Sequence, residues 1–300
     1  MKKKIISMIA LSAFIFSSFT INVQAQNKER VTFGIDLTDV QEEQMLKEFG
    51  VSADKVAIDR ITNQDIIEQL GLDPNDESNY QGGAYSSSYV KLTNSNGIIV
   101  DTTNLTEVTG LMLSNALLTS GITNAEVKAS SPFPVTGTSA LSGILKGFEA
   151  IQGEELSLKN KKAAQKEIET TSSLADEIGA TEAATVINDV KTAIIKEAPK
   201  TEAEVSSIVE DVTKNYTLEL TSDQKEKITN LMVDVKDLNI DYSKVKDTLK
   251  NLTNQLSTAL DKAGTQLSES GFFDKLFAGL SDLFNGVISW LSSLLTNETN

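Results

Sequence analysis

Histidine and cysteine are both absent from the 300 residues. Without histidine there is no imidazole general base and no histidine-type zinc site. Without cysteine there is no thiolate nucleophile, disulfide, thiolate metal site or iron–sulfur cluster. Basic residues are in the minority: 27 Lys+Arg stand against 42 Asp+Glu, a formal charge of −15. Such a balance repels nucleic acid and anionic lipid at long range and favours cations, so nucleic acid is set aside as a partner. Phosphate-binding signatures are missing too. No G-x-G-x-x-G occurs, and Gly137 and Gly143 are one residue too far apart for a P-loop, with no Gly-Lys following. No cofactor is expected.

What remains is a globular composition, 40% hydrophobic and 23% charged, in a chain long enough to bury a full core. The first 25 residues read as a secretory signal peptide. Lys2, Lys3 and Lys4 form its charged start, Ile5 to Phe19 its apolar stretch, and Val23-Gln24-Ala25 a small-residue cleavage site. The apolar stretch is short for a membrane span, and no cysteine follows to carry a lipid. Cleavage after Ala25 removes three lysines and no acid, leaving a formal charge of −18. Export to the extracellular or cell-envelope space is therefore expected.

Residues 26–153 have mixed texture. Val31 to Ile35 reads as a strand. Thr38 caps a helix to Phe49, with Gln41 completing a capping box and Gly50 as the stop. A strand over Lys55 to Ile61 and a helix from Asn63 to Leu70 follow, the helix ended by Gly71. Ala84 to Leu92 and Ile98 to Thr103 read as an antiparallel pair turned at Asn94-Ser95-Asn96-Gly97. A helix over Thr106 to Thr119, a strand over Ala125 to Ala129 and a helix over Thr138 to Gln152 complete the region. Residues 154–270 read as helices throughout. Thr201 with Glu204 makes another capping box, and Pro199 marks a junction. Val245, Leu249, Leu252, Leu256, Ala259 and Ala263 form a stripe that suits a bundle helix better than a coiled coil. Leu37-Thr38-Asp39-Val40-Gln41 and Leu220-Thr221-Ser222-Asp223-Gln224 share L-T-x-x-Q, which reads as repeated capping chemistry and not as a duplication. The expected class is α+β: a small mixed sheet with helices in the N-terminal half and an all-helical, bundle-like C-terminal half.

Several motifs agree in order with one family. They are Gly34-Ile35-Asp36-Leu37-Thr38, Ser87-Ser88-Tyr89-Val90, Asn104-Leu105-Thr106 and Asn115-Ala116-Leu117. The closest is Pro132-Phe133-Pro134-Val135-Thr136-Gly137-Thr138-Ser139-Ala140-Leu141 with Gly143-Ile144. On these residues the chain resembles predicted secreted proteins of Gram-positive bacteria catalogued as a domain of unknown function. The resemblance implies export and a shared fold. It implies no activity, cofactor or catalytic residue. Asp73 to Gly83 reads as an insertion relative to the pattern.

In the mixed region the best ligand candidate is the turn from Pro132, with Thr136, Gly137, Thr138 and Ser139 opening the next helix. N–H groups and hydroxyls at a helix start suit a carboxylate or phosphate, while the plainer reading is an N-cap on a stiff loop. Four S-x-x-K spacings (Ser52/Lys55, Ser88/Lys91, Ser222/Lys225, Ser243/Lys246) come close to the chance number, and Ser222 and Ser243 read as helix caps. Asp73 to Asn79 gathers oxygen ligands but lacks the glycine and final acid of an EF-hand, so a polar loop is expected and no metal site.

The C-terminal segment, 271–300, carries a large apolar stripe. At 100° per residue, Phe272, Phe273, Phe277, Leu280, Phe284, Ile288 and Trp290 fall on one face, opposite a polar face that is almost uncharged. Three readings stand: packing onto the preceding helices, lying at a membrane surface, or self-association. Lys275 is the one basic residue on the polar face, so attraction to anionic lipid is weak, and Trp290 suits the headgroup level. The functional expectation is an exported, non-enzymatic binding or structural protein of the cell envelope, with this helix contacting the membrane surface or an envelope protein. The alternative is an envelope hydrolase with paired carboxylates in a cleft of the mixed region. The sequence leaves the oligomeric state open.

Overall fold

A computed structural model describes residues 28–77, 82–137, 139–217 and 219–264. The leader, residues 1–25, and the C-terminal stripe, Phe272 to Trp290, lie outside the described residues, as does Thr138. In chain order the elements are β1 (Glu29–Gly34), α1 (Asp39–Phe49), β2 (Ala57–Ile61), α2 (Asn63–Leu70), β3 (Ser87–Leu92), β4 (Ile98–Leu105), α3 (Gly110–Thr119), β5 (Ala125–Val135) and α4 (Ala140–Gln152). Then come α5 (Leu158–Ile178), α6 (Ala180–Glu197), α7 (Glu202–Thr213), α8 (Ser222–Asp237) and α9 (Tyr242–Ala263). The class is α+β, as the sequence predicts.

Local chemistry sets most helix ends. Thr38, Thr201 and Thr221 each close a full capping box with Gln41, Glu204 and Gln224, so the shared L-T-x-x-Q is capping chemistry in both places. Thr62 does the same with Asp65 at the start of α2. Gly50, Gly71 and Gly153 stop their helices in the left-handed conformation. Several details differ from expectation, the helix starts among them. The helix expected from Thr106 begins at Gly110, where Thr109 is the cap. Ser222 and Ser243 are first-turn residues, and the caps are Thr221 and Asp241. In α9 the buried stripe ends on Leu260, while Ala259 is half-buried and Ala263 exposed, because the 3.6-residue turn drifts off a strict heptad.

The five strands form one sheet in the order β2-β1-β3-β5-β4. This corrects the expected hairpin. The strands read as an antiparallel pair, β3 and β4, are not neighbours: β5 lies between them, antiparallel to β3 and parallel to β4. The Asn94 to Gly97 turn sequence is local, whereas insertion of β5 depends on residues some 30 positions later. Burying β5 on both edges satisfies its backbone within the sheet.

One sheet face carries Val31, Phe33 and Tyr89 against Met45 and Phe49 of α1, with the Phe49 and Tyr89 rings stacked at 6.4 Å. On the other face Thr32 and Ser88, register partners on β1 and β3, lie under α4. There the helix presents Gly143 and Gly147. An ideal Cβ on either would stand 3.3 Å from Ser88 Oγ or Thr32 Oγ1, so the missing side chains let α4 approach closely. From this face one apolar core continues through α3 into the helical half, joining Val127, Ile144, Ile187, Leu231 and Leu256. At its centre α6 packs against α3, α5, α7, α8 and α9 and is buried from Ala183 to Ile195.

Candidate ligand cleft

A cleft opens where two neighbouring strands part. The strand expected to stop at Ala129 runs on to Val135 and takes in Pro132-Phe133-Pro134, part of what the sequence presents as a turn. In β5 the odd positions face β4. Ala125 N–H donates to Gly97 C=O, and at the far end Val135 C=O accepts from Thr106 N–H at 2.9 Å. Between Thr103↔Ser130 and Leu105↔Val135 the β4–β5 register shifts, and Pro132 and Pro134 in that stretch have no N–H to donate; the β3–β5 ladder ends just before them, at Ser87↔Ser130.

Beyond that point the chains diverge. The segment before β3 leans toward β1, where Ala84 N–H donates to Asp36 Oδ2 (2.7 Å) and Ala84 C=O accepts from Asp36 N–H. Gly34 permits this approach, because a Cβ there would collide with the Ala84 carbonyl. Meanwhile β5 follows β4 to the pair Leu105↔Val135. Tyr85 and Phe133 meet across the gap edge-to-face, with ring centres 5.0 Å apart.

At this gap lies a cavity of about 590 Å³. Ile66, Leu70 and Leu72 of α2 and its exit form one apolar wall, and Tyr85, Phe133 and Val135 form another. The polar wall comprises Asn63, Ser86, Thr136, Ser139, Gln165 and Glu169. This volume and mixture match small-ligand clefts in general.

Three of the four turn residues singled out in the sequence therefore share one wall: Thr136, Gly137 and Ser139. Glu107 N–H and Val108 N–H both donate to Thr136 C=O, and Ala140 N–H donates to Gly137 C=O. Gly137 has φ +88°, a left-handed backbone that favours glycine. Ser139 is the N-cap of α4 but makes no side-chain capping hydrogen bond.

Two residues of α5 matter more than the sequence suggests. Gln165 is 7% exposed and Glu169 lies one turn on. Gln165 Nε2 donates to Glu169 Oε1 at 2.9 Å. A carboxylate only accepts, so this bond fixes which end of the amide is which. Gln165 Oε1 is then an acceptor without a hydrogen-bond partner, buried behind the cavity surface. Glu169 is the one charged side chain in the described lining, and Lys162 lies just outside it, over Gly71 between Leu70 and Leu72. The sequence hides this pair inside a Glu/Lys-rich stretch that reads as a solvated face. The signal within it is Ala163, Ala164 and Ile168, which mark the side of α5 that turns inward.

Elsewhere, Asp73 Oδ1 accepts from the Asn75 backbone N–H (2.8 Å), forming a side-chain-closed turn in the acidic loop. Among the described residues no three His, Cys, Asp or Glu gather to hold a metal ion, and no helix is long and apolar enough to cross a membrane.

Residues 33–252 match the model of a family described as "Protein of unknown function (DUF1002)". The chain belongs to this family. It is 30% identical over 296 residues to "Uncharacterized protein YpuA" of Bacillus subtilis (strain 168), covering 96% of this chain and 99% of that one. No solved structure matches. The family match takes in every described wall of the cleft, from α2 to α5, and ends within α9.

Proposed function

We propose that the protein is an exported, non-enzymatic binding protein of the cell envelope. The leader carries it out, the cleft between β3 and β5 holds a small ligand, and the stripe from Phe272 to Trp290 contacts the membrane surface or an envelope partner. The observation that carries this reading is the cleft itself: an open, part-aromatic cavity with apolar and polar walls. The hydrolase alternative asks for two carboxylates facing each other across a cleft. The described lining supplies one, Glu169, which favours the binding reading.

Two measurements test it. Thermal melts of the mature chain, Gln26 to Asn300, are run with and without the low-mass fraction of an envelope digest. The wild type should gain melting temperature, and Val135→Trp, which fills the cleft, should not. Equal gains in both proteins, or none in either, would count against the cleft. Liposome co-sedimentation of the mature chain is compared with a chain ending at Ser270. The full chain should pellet while the shorter one stays soluble with an unchanged circular dichroism spectrum. Early melting of the shorter chain, with neither pelleting, would assign the stripe to the core.

A further inference from the structure

We propose that the ligand of the cleft carries a cationic amine on an apolar body. The inference rests on the binding reading above and adds the chemistry that the walls select.

The polar wall on α5 is rich in acceptors. Gln165 donates its amide N–H to Glu169, and its carbonyl oxygen is buried without a partner behind the same wall. Glu169 gives Oε1 to Gln165 and is exposed, and a carboxylate has acceptor positions beyond that one bond. An ammonium donates three hydrogen bonds and accepts none, which suits such a wall.

Charge separates an amine from other donors. A neutral alcohol or sugar also donates, but gains little from Glu169. An anion would be repelled by it, with no lysine or arginine in the described lining to compensate. The chain as a whole, at −15, also draws cations toward the cleft. The rings add a second attraction. The Tyr85–Phe133 pair borders the same cavity, and a cation near an aromatic face is stabilised by the ring quadrupole. Ile66, Leu70 and Leu72 supply apolar surface for the carbon body.

Both a free alkyl amine and a lysine side chain of a peptide present this chemistry. The test uses the ¹⁵N-labelled mature chain and four probes: hexylamine, lysine blocked as its Nα-acetyl amide, 1-hexanol and hexanoate. Chemical-shift changes are followed for amides lining the cleft. The amine probes should bind more tightly than 1-hexanol by about threefold or more, the size of one part-exposed ion pair. Hexanoate should bind most weakly. Tighter binding of hexylamine than of blocked lysine would point to a free amine, and the reverse to a peptide. Glu169→Gln keeps the hydrogen-bonding shape and removes the charge. It should cut amine affinity by about the same factor and leave 1-hexanol unchanged. If 1-hexanol matches hexylamine, or Glu169→Gln leaves the amines unaffected, the amine assignment is overturned while the cleft stands. If none of the four probes shifts the cleft amides, the binding reading itself fails.

Discussion

Lys191 Nζ lies 2.7 Å from Glu167 Oε1, and neither side chain is more than 1% exposed. The ammonium also donates to Asn115 C=O (2.8 Å) and Thr119 Oγ1 (3.2 Å), which fills its three donor positions. Thr119 in turn donates to Glu167 Oε2. The group pins α3, α5 and α6 together at the centre of the helical half. Burial lowers the pKa of Lys191, and the Glu167 charge opposes that change. Removing one partner of a buried pair leaves an uncompensated charge, a loss of about 3–5 kcal/mol. Lys191→Met should therefore lower the urea midpoint sharply. Adding Glu167→Leu should recover most of the loss, because the second charge goes with the first. A double variant no more stable than Lys191→Met would show that the pair is not the source of the effect.

Asp189 supplies a pH dependence in a chain without histidine. It is fully buried on α6, where Tyr216 Oη donates to one oxygen (2.6 Å) and Asn188 Nδ2 to the other (3.0 Å). Burial pushes its pKa from 3.8 up to about 7, outweighing the two hydrogen bonds that favour the charged form. Across that window the folded state holds a proton that the unfolded state has released. The contribution of this group to stability is thus greatest at low pH, declines as pH rises toward 7, and is fully lost above it. Melts at pH 5.5 and 8 should show a drop toward pH 8, worth about 2 kcal/mol, that is largely absent in Asp189→Asn. An identical drop in the variant would assign it to other groups.

Gly34 stands at the root of the cleft. A Cβ there would run into the Ala84 carbonyl, a backbone atom that also accepts from Asp36 N–H. Gly34→Ala should cost about 1–3 kcal/mol by forcing the two segments apart. The displacement should also shift the amides of Gly83 and Tyr85 in the cleft wall. A variant with unchanged stability would mean the junction relaxes freely.

The capping boxes make a quieter prediction. Thr38→Ala and Thr221→Ala each remove a cap with both reciprocal hydrogen bonds in place. Each should cost about 1 kcal/mol, with Thr→Ser nearly neutral. Equal effects of alanine and serine would point to lost methyl packing instead.

The sequence alone determined what depends on near neighbours. Thr38 with Gln41, Thr201 with Glu204, and the stops at Gly50, Gly71 and Gly153 act over three or four residues, so helix ends were legible there. The α+β class was legible for the same reason, since periodicity is a local property. Tertiary structure decided the rest. The strand beside β3 comes from Ala125–Val135 and not from the next strand along the chain, because the partner that best satisfies both edges lies far away in sequence. The turn from Thr136 to Ser139 could be singled out, but its cleft could not: the opposite wall comes from α2 and α5, and the gap opens where the β3–β5 ladder ends, at Ser87↔Ser130. Lys191 and Asp189 are buried because α6 is surrounded on all sides, and Glu167 because α5 packs against it; a charge sealed in that way is stable only where the folded chain brings its partners to it.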